Sequence, residues 1–428
     1  MPRIPRSVFR NIKYEIQKHS RNSVCNFFSQ PTFPTRERCF VLGIETSCDD
    51  TGCAIVDNKG KILGEALHSQ QQVHLDFGGI IPPVAKKLHQ EHIEKVVQDA
   101  LKASHLNMDD IDAVAATVKP GLPLSLVVGM NYGKELCRKF AKPFIPVHHM
   151  EAHTLTIRMI QKVDFPFLVL LISGGHCLLA IAQAVDKYLL LGHSIDDAPG
   201  EALDKTARRL KLRNIPEFSK LSGGQAIEKA SERGNLLAFA FPSPMSDYRN
   251  CDFSFAGLKN VVTRHILHEE AENDAFFCVG TEGDQLIPSV FDLCASFQFA
   301  IALHLCRRVQ RAMEFVEQND LLPLNNRTLV VSGGVACNRF IAKMLQVVCN
   351  EKSYQLAIPP PKLCTDNGIM IAWNGMERWL TNAGIVNDLD SVNIEAKCPL
   401  GKDIRDAVAE ASIKCKWIKR KVFIAAIQ

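Results

Sequence analysis

From Cys39 onward short apolar runs alternate with polar turns. "CFVLGIE" and "GCAIV" flank the polar stretch Thr46–Thr51, and a turn at Asn58-Lys59-Gly60 leads to a third run. This order predicts three consecutive strands. The period then changes. In "HQEHIEKVVQDALKAS", Ile93, Val96, Val97 and Leu101 fall on one face of a helix. A strand "DAVAATV" and a loop "KPGLPLS" that opens another helix follow. The second half repeats the plan. "FLVLLISGGHCLLAIAQAV" reads as strand, tight turn at Ser173–His176, strand, and "TLVVSGGVACNRF" as strand, glycine turn, helix. "YQLAIPPPKLCTDNGIMIAW" reads as strand, proline-rich loop and a helix with Asp366 and Asn367 in its first turn. Alternating strands and helices define an α/β protein, and the repeated hairpin predicts two related lobes. The expected division is 39–145 with a return of 350–400 for the first lobe and 146–349 for the second. The lysine-rich end 401–428, with "KCKWIKRKVF", has no counterpart elsewhere in the chain and is expected to be disordered.

Composition narrows the class. With 428 residues, 46% hydrophobic and 22% charged, the chain can bury two hydrophobic cores. A net charge of +4 is compatible with a nucleic-acid partner without requiring one. The longest apolar candidate, Phe165–Ala184, is broken by Ser173-Gly174-Gly175-His176, so membrane insertion is not predicted. Fifteen cysteines without a C-x-x-C pair suit neither a disulfide framework nor a cysteine metal site. Residues 1–38 differ in kind. Eight Arg and Lys stand against Glu15 and Glu37, with Ile4, Val8, Phe9 and Ile12 at roughly helical spacing. This is the pattern of a mitochondrial transit peptide and places the mature protein in the matrix; a plain basic tail is the alternative.

The candidate chemistry starts at "VHHMEAH", residues 147–153. On a helix, positions four apart differ by only ~40°, so His149 and His153 project from one face. They suit a metal ion, and equally a helix that merely carries histidines. Glu151 follows His149 by two residues, about 200° around the helix, and no H-E-x-x-H occurs, which disfavours a metallopeptidase. Glycine turns follow apolar strands at Ser173-Gly174-Gly175 and Ser332-Gly333-Gly334, and a hydroxyl-rich turn, Thr46-Ser47, precedes Asp49 and Asp50. Such turns let backbone N–H groups approach phosphate. None matches a Walker A loop or a dinucleotide fingerprint. An ATPase or kinase of actin-like fold is therefore an alternative, although it would need no histidine pair.

"GIETSCDDTG", "VHHMEAH", "LLISGGHC", "GEALDKTARRL", "DFSFAGLKNVV", "SGGVACNR" and "CTDNGIMIA" occur in that order. Over roughly Val41–Trp373 they closely resemble the TsaD family of tRNA threonylcarbamoyladenosine transferases, and the N-terminal segment points to its mitochondrial branch. The resemblance implies the actin/Hsp70/sugar-kinase fold, two ribonuclease-H-like lobes around a nucleotide cleft. It implies transfer of the threonylcarbamoyl group from threonylcarbamoyl-AMP to N6 of adenosine 37 in tRNAs that read codons beginning with A, with release of AMP. Carried over residue by residue, His149, His153 and Asp366 hold one divalent metal ion per subunit, the aspartate tying two lobes together; iron, zinc and magnesium all remain open. Leu171, Ile172, Ser173, Gly174 and Gly175 take the donor's phosphate and threonylcarbamoyl part, Asp204 its ribose or adenosine, and Gly224 and Asn338 border the adenine. Asp49 and Asp50 are candidates to orient or deprotonate the attacking amine. Related enzymes work as homodimers or in multi-protein complexes, and a self-sufficient or homodimeric form is the expectation here. Three positions depart from the family pattern: Leu124 in place of glycine, Cys177 in place of threonine, and "PEFSKLSGG" leading into Gly224.

Overall fold

The computed structural model describes residues 38–77, 79–274 and 287–427. The expected transit peptide lies outside them except for Arg38, whose guanidinium bonds the Asp57 carboxylate at 2.9 Å and so belongs to the folded body. Two compact units make up the chain. The first comprises Met1–Pro166, Ala182–Leu189 and Pro359–Lys402, the second Phe167–Ile181, Leu190–Ile358 and Asp403–Gln428.

In the first unit β1 (Phe40–Glu45), β2 (Asp50–Asp57) and β3 (Ile62–Ser69) form the predicted meander. β4 (Ala113–Lys119) and β5 (Phe144–His148) add parallel strands, giving the order β3-β2-β1-β4-β5. Alternation along the strands gives the sheet two apolar faces. Val41, Ala54, Val56, Ala115 and Val147 pack with Ala152 and Leu155 of helix His149–Ile160 and with Ile369, Met370, Ala372 and Trp373 of helix Gly368–Thr381. Leu42, Ile44, Ile55, Val114 and Ala116 pack on the other side against Ile93, Val96 and Val97 of helix Pro82–Ser104 and Val128 and Met130 of helix Pro123–Phe140.

The second sheet is built from β6 (Phe167–Ile172), β7 (Cys177–Ala184), β8 (Lys187–His193), β9 (Thr328–Ser332), β10 (Gln355–Ala357) and the short β11 (Lys402–Asp403), in the order β10-β9-β6-β7-β8-β11. β9 runs parallel to both β6 and β10. Counted from β6 as first strand, this is again third-second-first-fourth-fifth, so the duplicated hairpin of the sequence is a duplicated topology. Helix Val290–Gln318 has the length and hydropathy of a membrane span, but it buries Gln298, His304, Arg308, Gln310 and Arg311 together with its apolar positions. That is a core helix.

The observed units differ from the sequence-drawn boundaries. Residues 146–166 belong to the first unit, because the helix after β5 packs on that unit's sheet and on Gly368–Thr381. Residues 350–358 belong to the second, because β10 pairs with β9. Asp366 is not in a helical turn: helix Gly368–Thr381 is capped by Asn367, whose Oδ1 accepts the Met370 N–H at 2.8 Å, and Asp366 precedes the cap. The C-terminal residues are ordered, with helices Arg405–Ala411 and Arg420–Ile427.

Candidate metal centre and glycine turns

β5 runs directly into the histidine helix, and the junction decides the role of each histidine. His148 is the N-cap: its Nδ1 accepts the Met150 N–H at 3.2 Å, and its Nε2 meets the Cys398 carbonyl at 3.3 Å. It is buried rather than a surface residue, and burial pushes its pKa down to about 3, so it stays neutral. His149 and His153, one turn apart, stand edge to face with ring centroids 4.7 Å apart. Asp366 Oδ1 lies 3.5 Å from His149 Nε2 and 3.1 Å from His153 Nε2. One ligand atom from each of the three residues fits within 4.8 Å, the scale of a metal's immediate coordination sphere. Glu151, as the helix geometry requires, points elsewhere and pairs with Arg378 at 2.5 Å.

Glycines set the position of the carboxylate. A Cβ on Gly43 would lie 2.1 Å from the Ala372 nitrogen, one on Gly52 2.7 Å from the Gly368 nitrogen, and one on Gly368 2.4 Å from the Cys53 carbonyl carbon. Helix Gly368–Thr381 thus rests on the bare backbone of β1 and β2, with Asp366 just ahead of it. Histidines and aspartate therefore share the first unit, so the ion they suit would not tie two lobes together.

The surroundings of His149 argue for a cation. Its Nδ1 faces Glu45 Oε2 at 3.2 Å and Ser47 Oγ at 3.1 Å, leaving Nε2 toward Asp366 and His153. Burial would strip His149 of its proton, but Asp366 and Glu45 outweigh it and raise the pKa to about 10. Burial would likewise raise both carboxyls, yet His149 holds them below the usual carboxylate range. A dry Glu45 carboxylate and a partly exposed Asp366 carboxylate thus flank His149, and a proton or a metal ion can supply the positive charge that they favour. His153 Nδ1, also buried, has no hydrogen-bond partner. The donor set of two imidazoles and one carboxylate fits a divalent ion. Glu45 is the residue that sequence reasoning missed. It reads as an ordinary strand-end acid, yet it is fully buried, accepts the Ser47 N–H and the Thr117 hydroxyl, and fixes the orientation of the His149 ring from behind.

The hydroxyls of the Thr46-Ser47 turn are used internally rather than offered to phosphate. Thr46 Oγ1 donates to the Ser125 carbonyl and accepts the Gly129 N–H, and Ser47 serves His149. Asp50 is different. Its Oδ1 is buried without a partner. Burial, opposed by a Ser69 hydrogen bond and reinforced by Asp49, Asp366 and Glu45, raises its pKa to about 7.

The other predicted residues lie in the second unit. The side chains of Leu171 and Ile172 are core, so a ligand can meet only their backbone. The Ser173 hydroxyl braces its own turn by accepting the His176 N–H at 3.1 Å, while a Cβ on Gly174 or Gly175 would meet no atom within 4 Å. Gly333, at φ 96°, would clash through a Cβ with the Ile172 carbonyl. The structure brings Asp204 and Gly224 together: the Gly224 N–H donates to Asp204 Oδ1 at 2.9 Å, so an exposed carboxylate sits on the first turn of helix Gly223–Ser231. Asn338 is committed to the fold. Its Oδ1 caps helix Arg339–Lys352 through the Ile341 N–H, and its Nδ2 donates to Gln298.

A doubled ribonuclease-H-like topology with a His-His-Asp cluster defines an α/β protein of the actin/Hsp70/sugar-kinase fold with a candidate metal centre. The family model for tRNA N6-adenosine threonylcarbamoyltransferase, TsaD, matches residues 61–373. The chain is 54% identical over 379 residues to the mouse protein named tRNA N6-adenosine threonylcarbamoyltransferase, mitochondrial, covering 89% of this chain and 90% of that one. To the human protein of the same name it is 53% identical over 382 residues, covering 89% and 91%. To the tRNA N6-adenosine threonylcarbamoyltransferase of Rhizobium meliloti it is 40% identical over 381 residues, covering 86% and 99%. The chain belongs to the TsaD family of tRNA N6-adenosine threonylcarbamoyltransferases, enzymes that are metal-dependent, and to its mitochondrial branch.

Proposed function

We propose that the protein transfers the threonylcarbamoyl group of threonylcarbamoyl-AMP to N6 of adenosine 37 in mitochondrial tRNAs reading codons that begin with A. In the reaction the N6 nitrogen forms a bond to the carbamoyl carbon, the bond from that carbon to the adenylate phosphate oxygen breaks, and AMP departs. The exocyclic amine is a weak nucleophile, so rate depends on placement and on a group that takes its proton. Asp50 fits the second role, since its carboxyl titrates close to neutral pH and keeps one oxygen unpaired; Asp49 adjoins it. Ser173, Gly174 and Gly175, with the backbone of Leu171 and Ile172, receive the donor's phosphate and threonylcarbamoyl part where the glycines leave open space. Asp204 and Gly224, joined by a hydrogen bond, take the ribose and adenine side. Asn338 contributes by holding its helix start, because its amide is engaged with Ile341 and Gln298. His149, His153 and Asp366 would hold one divalent ion, which when bound supplies Lewis-acid polarisation of donor oxygens.

The cluster of His149, His153 and Asp366, with His149 oriented by Glu45, is the observation that carries this reading. The test supplies purified protein with threonylcarbamoyl-AMP and an unmodified tRNA of that class, and quantifies threonylcarbamoyladenosine by mass spectrometry. Product from the wild type, and a loss of roughly a hundredfold or more in His149→Ala and Asp366→Ala, is expected. Steady ATP hydrolysis without tRNA, and no modified nucleoside, would instead favour the kinase-like alternative.

A further inference from the structure

The C-terminal residues carry a cluster of cations that the function above does not absorb. In Ile413–Phe423, Ile413 and Phe423 are buried, and Cys415 and Ile418 are partly so. Lys414, Lys416, Lys419, Arg420 and Lys421 are exposed. The stretch 413–419 has neither helix nor strand, yet it is fastened to the core helix Val290–Gln318. Buried Gln310 donates to the Lys416 carbonyl at 2.9 Å and accepts the Ile418 N–H at 3.3 Å, gripping the backbone on both sides of Trp417. The Trp417 ring lies over the Arg311 guanidinium, 5.1 Å from its carbon, and keeps 37% of its surface exposed. Arg420 lies over Phe299 at 4.8 Å and is close enough to Arg307 to lower that residue's pKa, second to burial as a cause.

Several cations elsewhere in the chain are paired. Lys87 has Glu91, Lys205 has Glu201, and Arg209 has Glu270. Among the described residues, none of Lys414, Lys416, Lys419, Arg420 and Lys421 is in an ion pair. Five exposed cations thus fall within the eight residues Lys414–Lys421, a local excess of positive charge that suits an anionic partner. A half-exposed indole among them adds a stacking surface.

We infer that the Lys414–Lys421 segment is a preformed binding surface for the phosphate backbone of RNA, with Trp417 as its aromatic platform. This rests on the proposed tRNA substrate and adds the place where part of that substrate is held. Unpaired lysines on a tethered backbone neutralise phosphates without reading sequence, so the surface contributes affinity common to all the tRNAs served.

The test measures binding of fluorescently labelled, unmodified tRNA between about 50 and 200 mM salt, with the wild type and the quadruple variant Lys414→Gln, Lys416→Gln, Lys419→Gln, Lys421→Gln. Each phosphate that is no longer neutralised takes about 0.7–0.9 off the slope of log affinity against log salt, so a fall of up to about 3.6 is expected, with affinity at least about tenfold weaker at 100 mM. The KM for tRNA rises while kcat at saturating tRNA holds. A quadruple Lys→Arg variant keeps both binding and slope. Unchanged slope in the glutamine variant, with wild type that forms threonylcarbamoyladenosine, overturns the surface and leaves the enzymatic reading intact. Loss in the arginine variant as well would show that packing rather than charge is at stake, and would overturn it too. Wild type that neither binds nor modifies tRNA overturns both. Vesicles containing anionic phospholipid serve as the competing probe: lysine-dependent binding to them alone assigns the segment to a membrane surface instead.

Discussion

Asp50 shows how one side chain can be set for a task by its surroundings. Its native carboxyl keeps a proton up to about pH 7, whereas the unfolded chain releases it near the ordinary aspartate value of 3.8. Between those values the native state binds more protons than the unfolded one, so Asp50 makes stability fall as pH rises, by up to about 1.4 kcal/mol per unit. Denaturant unfolding of metal-stripped protein at pH 5, 6 and 7 should show this decline, and Asp50→Asn should flatten it relative to the wild type. An equal slope in both proteins would place the titration elsewhere. Glu45 marks the limit of sequence reasoning at the same scale. Asp50 stood out in the sequence because two adjacent acids in a turn attract notice. Glu45 did not, because nothing local reveals that its carboxylate is fully buried against His149, which is over a hundred residues away.

Among the elements, the histidine helix and helix Gly368–Thr381 depend on each other. The Trp373 indole N–H donates to the Leu155 carbonyl at 3.1 Å, and Glu151 pairs with Arg378, both side chains being about nine-tenths buried. Arg378 also donates to Asn374. Removing one member of a buried pair leaves the other charge without compensation and typically costs about 3–5 kcal/mol. Arg378→Met should therefore destabilise the protein by about that amount in urea unfolding, whereas the double variant Arg378→Met, Glu151→Met should recover most of the loss. Additive losses would show that the two side chains act independently. Both helices were legible from their 3.6-residue period, which is a local property. Their shared unit was not, because the partner surface arrives more than 200 positions later and periodicity carries no record of it. The start of helix Gly368–Thr381 is not legible either: "TDNG" suits several cap registers, and only the hydrogen bond from the Met370 N–H to Asn367 fixes one.

At the scale of the whole molecule, the first unit sets two carboxylates, Glu45 and Asp366, against the single imidazole of His149, an excess of negative charge that a divalent ion would relieve. An ion that binds only the folded protein stabilises it by about 2.7 kcal/mol at a hundredfold excess over its Kd. For a unit of this size that corresponds to roughly 5–10 °C in Tm. Calorimetry of chelator-treated protein titrated with zinc, iron(II) or magnesium should show such a rise for the ion that fits, and His153→Ala should abolish it. No shift with any of the three would remove the cluster from consideration as a metal site. The duplicated architecture was legible because each half repeats the same order of hairpin and parallel strands. The division of labour was less so. The histidines and Asp50 lie in one unit and the glycine turns with Asp204 in the other, a split that the expected lobe boundary at residue 146 would have concealed.

The precision of the Asp366 carboxylate is set by residues that have no side chain at all. Gly43, Gly52 and Gly368 let a helix lie on bare strand backbone at distances that a single methyl group would forbid. A methyl at any of the three would lever the helix outward and draw the carboxylate from the imidazoles, although none of the three can ligate anything. Coordination chemistry here is governed by steric absence: the ability to grip an ion is encoded as much in missing carbon atoms as in the nitrogens and oxygens that would touch it.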